Sequence, residues 1–144
     1  MIVEVLREGA LPRLRFVVDG PPVPKGRPRF VPGLARPITP TSTRKYEAHV
    51  RAMAAHALKI SGLAWPLDAR YELRVHVVKV ADRGDGDNFL KLASDACEPV
   101  LFGNDRRVRS SSVTQAIDKA HPRLEVDVAV VELAQPKARK ARRA

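Results

Sequence analysis

The chain has 144 residues, 44% apolar and 29% charged, which is enough to build one folded domain with its own core. Its 26 Lys and Arg side chains outnumber 16 Asp and Glu, and the net charge of +10 is typical of a protein that meets a polyanion such as nucleic acid. No apolar stretch approaches the roughly 20 residues that span a bilayer, so we expect no membrane association. The single cysteine, Cys97, excludes an internal disulfide and a cysteine-rich zinc site, and it favours a cytoplasmic location.

The N-terminal part of the sequence combines a short strand with a proline-rich basic loop. Leu14, Phe16 and Val18 share one face of a strand predicted over residues 14–19. Residues 20–40 hold seven of the twelve prolines, and because proline removes backbone donors we expect a loop there. The alternative is a solubilising surface loop, but the prolines favour a preorganised one that contacts DNA phosphates. The basic side chains expected to do so are Lys25, Arg27, Arg29 and Arg36.

Helical periodicity follows the proline-rich loop. Residues 41–43 offer N-cap side chains, and Gly62 offers a C-terminal stop, so we predict a helix between them. Apolar residues recur along it at spacings of three and four, which indicates an amphipathic helix. The predicted buried stripe consists of Tyr46, Val50, Met53, Ala57 and Ile60.

A half-buried strand, a turn and a second helix come next. Apolar and polar residues alternate over 70–80, which predicts the strand, and a glycine-rich turn follows. Asp87 or Asn88 is expected to cap a helix that runs to about Cys97 and is stopped by Pro99.

Two more strands complete the predicted domain, a weakly apolar one over 107–116 and a clear one over 124–130. The order β-α-β-α-β-β predicts an α+β fold, with two main helices packed on a small mixed, largely antiparallel sheet. We expect a single domain over residues 1–136, followed by a disordered basic tail over 137–144.

An acidic segment interrupts the otherwise basic chain. Residues 82–105 carry six acidic and two basic side chains. Asp85 and Asp87 lie at the predicted strand-to-helix junction, where extended backbone would point their side chains the same way. Asp87, Lys91 and Asp95 follow at helical spacing and should share one helix face. Asp105 comes from the next turn.

Clustered carboxylates of this kind favour a divalent cation. Two unit charges about 4 Å apart repel by ~4 kcal/mol at an effective dielectric near 20, and a cation removes that repulsion. Oxygen ligands without nearby His or Cys suit Mg²⁺ or Mn²⁺, which support phosphodiester hydrolysis, and Lys91 could stabilise the transition-state charge. The simpler alternative is that Asp87 is only a helix cap and Lys91 its surface partner.

At these residues the sequence resembles the RusA family of Holliday junction resolvases, which are typical of bacteria and their phages. The string Asp-x-Asp-Asn-x-x-Lys over residues 85–91 matches the family signature, and so do Asp95 and Asp105 in order and approximate spacing. The basic proline-rich loop over 20–30 and the Tyr46-Glu47 pair that opens the first helix resemble phage-type members. The similarity covers roughly residues 14–133.

The resemblance implies a Mg²⁺-dependent endonuclease, with Mn²⁺ as an alternative metal, that acts as a homodimer on four-way junction DNA. It assigns metal ligation to Asp85, Asp87 and Asp105 and an essential catalytic role to Lys91. Some members carry an acidic pair where this chain has Asn104 before Asp105, so Asp95 is either a further ligand or a helix-packing partner. Two other functions stay open: a noncatalytic basic DNA-binding protein, and a nuclease that acts on other branched DNA or on RNA.

Overall fold

The computed structural model describes residues 3–5, 11–26, 32–33 and 40–134. Five strands and two α-helices make up the α+β fold that the sequence predicted. In chain order they are β1 (Val3–Val5), β2 (Arg13–Asp19), α1 (Thr41–Ser61), β3 (Ala69–Lys79), α2 (Gly86–Cys97), β4 (Val108–Ile117) and β5 (Arg123–Leu133). The three-residue strand β1 was not predicted, because so short a segment carries too little alternation to be recognised.

The strands form one sheet in the order β1-β2-β5-β3-β4. Every neighbouring pair is antiparallel except β3 and β4, which run parallel and are joined through α2, so the predicted mixed, largely antiparallel sheet is confirmed. The two helices contact each other and cover one face of the sheet, where alternate residues of β2, β3 and β5 are buried. Because β3 and β4 are parallel, their carboxyl-terminal ends lie side by side at one end of the sheet.

Helix α1 has the predicted position but a slightly different buried face. Ala54 is fully buried, whereas Ile60 is 54% exposed, so the predicted inclusion of Ile60 was wrong. The residues at 41–43 do not cap the helix, since Pro40 is the N-cap residue and the Thr43 hydroxyl instead accepts the Gly26 N–H at 3.0 Å. Gly62 ends the helix in the left-handed conformation, as expected.

Helix α2 ends at Cys97 as predicted, but Pro99 does not stop the helical path. It widens into a π-helical turn, Glu98–Phe102, which ends at Gly103 with a φ of 71°. Pro99 falls at the start of this turn, where a missing N–H removes little helical hydrogen bonding. The Tyr71 ring packs between Trp65 and Phe102, and the Trp65 indole N–H donates to the Leu101 carbonyl at 2.9 Å.

The predicted basic tail over 137–144 lies outside the described residues. Within the described part, no helix is both long and apolar enough to cross a bilayer.

Candidate active site

Asp85 and Asp87 lie together at the start of α2. Gly84 has a φ of 88°, a conformation that favours glycine, and it turns the chain from β3 towards the helix. Asp85 is the N-cap residue, and its Oδ1 accepts the Asp87 N–H at 3.2 Å. The prediction that Asp87 or Asn88 would cap was therefore wrong, because the helix begins at Gly86. Extended backbone reaches only Asp85, so the cap bond to the Asp87 N–H, rather than strand alternation, links the two residues.

Both carboxylates are exposed, and Lys91 extends the same surface. The Asp87 carboxylate and the Lys91 ammonium make no ion pair or hydrogen bond with the described residues, so both are accessible to a ligand. Lys91 follows Asp87 by four residues and lies one turn further along the same helix face. The N-terminus of α2 adds the positive end of the helix dipole, which favours anions there.

Asp105 lies just before the first residue of β4. It begins a 3₁₀ turn, Asp105–Arg107, in which the Asn104 Oδ1 accepts the Arg106 N–H at 2.9 Å. Just after this turn Val108 pairs with the start of β3, whereas Gln115 pairs near its end and lies against Gly86. Val108 and Gln115 are about 23 Å apart, at 3.3 Å per strand residue. Asp105 is therefore remote from Asp85 and Asp87 of its own chain.

Among the described residues, no three His, Cys, Asp or Glu side chains come together in an arrangement that could hold a metal ion. Of the predicted site residues, Asp85, Asp87 and Lys91 lie at the cap and in the first turns of α2, whereas Asp105 lies in the 3₁₀ turn before β4.

Asp95 and Lys25 are bound to each other. The Lys25 ammonium lies 2.9 Å from Asp95 Oδ2 and 3.2 Å from Glu47 Oε1. Burial lowers the pKa of Lys25, but the hydrogen bonds to Asp95 and Glu47 outweigh it, and the pKa is raised above its usual value. The Lys25 backbone N–H also donates to the Asn88 carbonyl at 3.0 Å, so the described start of the proline-rich loop is bound to the first turn of α2.

The structure describes only one of the four residues that were predicted to contact DNA. Lys25 is the only one of the four that lies within the described residues, and its ammonium is directed at α1 and α2. Arg27, Arg29 and Arg36 lie outside the described residues.

The sequence analysis did not single out Lys79, a buried lysine beside the turn that leads to Asp85. The Lys79 side chain is only 6% exposed, and its ammonium lies 2.8 Å from Gln115 Oε1 and 3.4 Å from the Gly84 carbonyl oxygen. It also lies 5.7 Å from the centroid of the Phe89 ring. The signal was present, because the alternation of β3 puts residue 79 on the same face as the buried Val75 and Val77.

Exposed carboxylates, an ammonium group one turn away and a strongly basic chain are features that phosphodiester-cleaving enzymes use. Residues 19–129 match the family model described as endodeoxyribonuclease RusA. The match covers most of the chain, so the protein belongs to the RusA family, as its motifs indicated, and is an endodeoxyribonuclease. Family members resolve Holliday junctions, generally as dimers that depend on divalent metal. A search of curated proteins gave no significant match.

Proposed function

We propose that the chain is a Mg²⁺-dependent Holliday junction resolvase that cuts two opposed strands of a four-way junction symmetrically as a homodimer. The observation that carries the proposal is the exposed pair of Asp85 and Asp87 with Lys91 one turn away, in a chain of the RusA family. Two-fold substrate symmetry is matched by a two-fold protein with two equivalent sites.

The donor chemistry fits Mg²⁺ or Mn²⁺. The Oδ1 atom of Asp85 caps the helix, which leaves its Oδ2 atom for a metal ion. Both carboxylate oxygens of Asp87 are available for the same purpose. Both ions prefer such hard oxygen ligands, and two carboxylates leave room for water and a phosphate oxygen. When bound, the metal would neutralise negative charge on the phosphate and make a water more acidic.

A second copy of the chain would complete the ligand set. Within the described residues β4 has β3 on one side and no strand on the other, and most of its ten residues are exposed. Such an edge pairs readily with another strand. Antiparallel pairing of β4 with β4 of a second copy would bring the start of one strand to the end of the other. Asp105 of the partner subunit would then approach Asp85 and Asp87.

The chain's own groups have separate tasks in the proposed mechanism. Asp85 and Asp87 would hold the metal, and the partner subunit's Asp105 would supply a third carboxylate. The Lys91 ammonium faces the scissile phosphate and stabilises charge that develops on its oxygens. Hydrolysis would leave 5′-phosphate and 3′-hydroxyl ends that a ligase can seal.

The remaining predicted residues act around this centre. Asp95 is a packing partner of Lys25 rather than a ligand, a role supported by their 2.9 Å ion pair. Lys25 anchors the proline-rich loop, while Arg27, Arg29 and Arg36 contact DNA phosphates. We assign residues 1–136 to one nuclease domain, and the tail over 137–144 to nonspecific attraction of DNA.

The test is cleavage of a four-way junction with and without Mg²⁺ by the wild type and by Asp87→Asn. We expect the wild type to cut only with metal, and Asp87→Asn to bind the junction but not cut it. Glu72→Gln is the matched control, because it removes one negative charge on the helix-free face of the sheet, where Glu72 pairs with Arg74.

Two results would redirect the proposal. A noncatalytic DNA-binding protein would bind junctions and cut nothing with any metal. A nuclease of different specificity would prefer flap, duplex or RNA substrates over the junction under the same conditions.

A further inference from the structure

We propose that Lys79 and Gln115 are positioning residues that hold the turn carrying Asp85 in the shape needed to bind metal. The proposal rests on the proposed function of Asp85 and Asp87 as ligands. It adds two residues, one from β3 and one from β4, that belong to neither the signature string nor the ligand set.

Lys79 occupies a position where an apolar side chain would cost less. A buried ammonium is unfavourable unless it is hydrogen-bonded, and burial is rare for lysine. Here Lys79 reaches Gln115 Oε1 at 2.8 Å, the Gly84 carbonyl at 3.4 Å and Asp82 Oδ1 at 3.5 Å. The Phe89 ring lies 5.7 Å away and adds a cation–π contact. Two of these contacts, Asp82 and Gly84, lie in the turn that leads into α2.

Gln115 contacts Lys79 and also packs against Gly86, the residue that follows Asp85. Its amide is oriented by the bond to Lys79, and its Nε2 lies so close to Gly86 that a Cβ there would be 2.6 Å away. A larger residue at position 86 would therefore displace the Gln115 amide. The Lys79 ammonium therefore holds the carbonyl before Asp85, and the Gln115 amide packs on the residue after it.

Holding both sides of Asp85 matters because its carboxylate has two tasks. Oδ1 caps α2 and the remaining oxygen is left for the metal, so a shift of the turn would move both together. Groups that orient metal ligands in this way typically change metal affinity by about 10–100-fold when removed.

The direct test is Mn²⁺ binding by calorimetry or electron paramagnetic resonance, measured on the full chain without DNA. Lys79→Met keeps the aliphatic stem and removes the ammonium, and we expect it to weaken Mn²⁺ binding by about tenfold or more. Lys59→Met is the control, because Lys59 is exposed in the last turn of α1 and its loss changes the net charge equally.

A second test uses Gln115, which is exposed, so that its substitution does not place a new side chain in the core. Gln115→Leu removes the acceptor from an exposed position of β4 and should weaken Mn²⁺ binding, whereas Gln115→Glu retains an acceptor for Lys79 and should restore it. In junction cleavage the same variants should lower kcat, with KM for the junction unchanged.

The outcomes separate this proposal from the proposed function. A positioning residue should change Mn²⁺ affinity by about tenfold or more. If Lys79→Met and Gln115→Leu both fold and bind Mn²⁺ within about twofold of the wild type, the positioning role is wrong. This holds even if the variants cleave junctions. If Lys79→Met does not fold, the Gln115 pair of variants decides. If the wild type binds Mn²⁺ but cuts no junction, the proposed function fails and the binding series still tests the positioning role.

Discussion

The proposed two-chain active site makes a prediction that a site within one chain does not. Asp87→Asn and Asp105→Asn should each inactivate the enzyme when present in both subunits. A mixed dimer of the two variants should regain activity. One of its sites would contain both substitutions, while the other would combine Asp85 and Asp87 from one subunit with the unchanged Asp105 of the partner subunit.

The expected recovery follows from the strand geometry. Val108 and Gln115 lie about 23 Å apart along β4, which is far beyond the reach of one metal ion, so Asp105 is unable to join Asp85 and Asp87 of its own chain. Random exchange of equal amounts should give about half mixed dimers, each with one intact site, and hence about a quarter of the wild-type sites.

The assay is nicking of a four-way junction by the mixture after subunit exchange. Because each mixed dimer has one intact site, the products should be nicked junctions rather than paired cuts. The separate variants, and a mixture of Asp87→Asn with Asp85→Asn, serve as controls that should remain inactive. If the mixture of Asp87→Asn and Asp105→Asn is also inactive although exchange is demonstrated, Asp105 does not act across the interface and the β4 pairing is refuted.

Three further predictions concern the fold around the site. Burial raises the pKa of Cys97 to about 12, despite the nearby Arg51, so the thiol should resist a disulfide reagent at pH 8 until denaturant is added; rapid labelling of the native protein would contradict this. Leu73→Ala should lower the free energy of unfolding by about 2–5 kcal/mol in urea titration, because Leu73 is fully buried; a loss below about 1 kcal/mol would contradict the packing. The raised pKa of Lys25 means that its stabilising contribution is present at neutral pH and is lost as pH rises above its usual 10.5. Lys25→Met should therefore flatten the alkaline decline in stability, measured by thermal unfolding from pH 9 to 12, and an unchanged decline would exclude the ion pairs as its cause.

Local patterns were sufficient for most elements and for the chemical motif. Alternation identified β3 and β5 to within three residues at either end, and helical spacing identified α1, because burial of one face imposes those periods. The Asp-x-Asp-Asn-x-x-Lys string indicated the candidate active-site turn, since its residues lie at the cap and in the first turns of one helix. Pro99 was misread, because whether a proline ends a helix depends on the packing of the turn that follows.

The sequence by itself determined the family and the candidate site residues, whereas only the tertiary structure decided which of these residues lie near one another. Asp95 is consistent with the signature in spacing, but its partner is Lys25, seventy residues earlier in the chain. Asp105 follows Asp87 closely in sequence, yet the parallel pairing of β3 and β4 separates them by the length of a strand. Strand order depends on contacts between distant segments, and no local period records it.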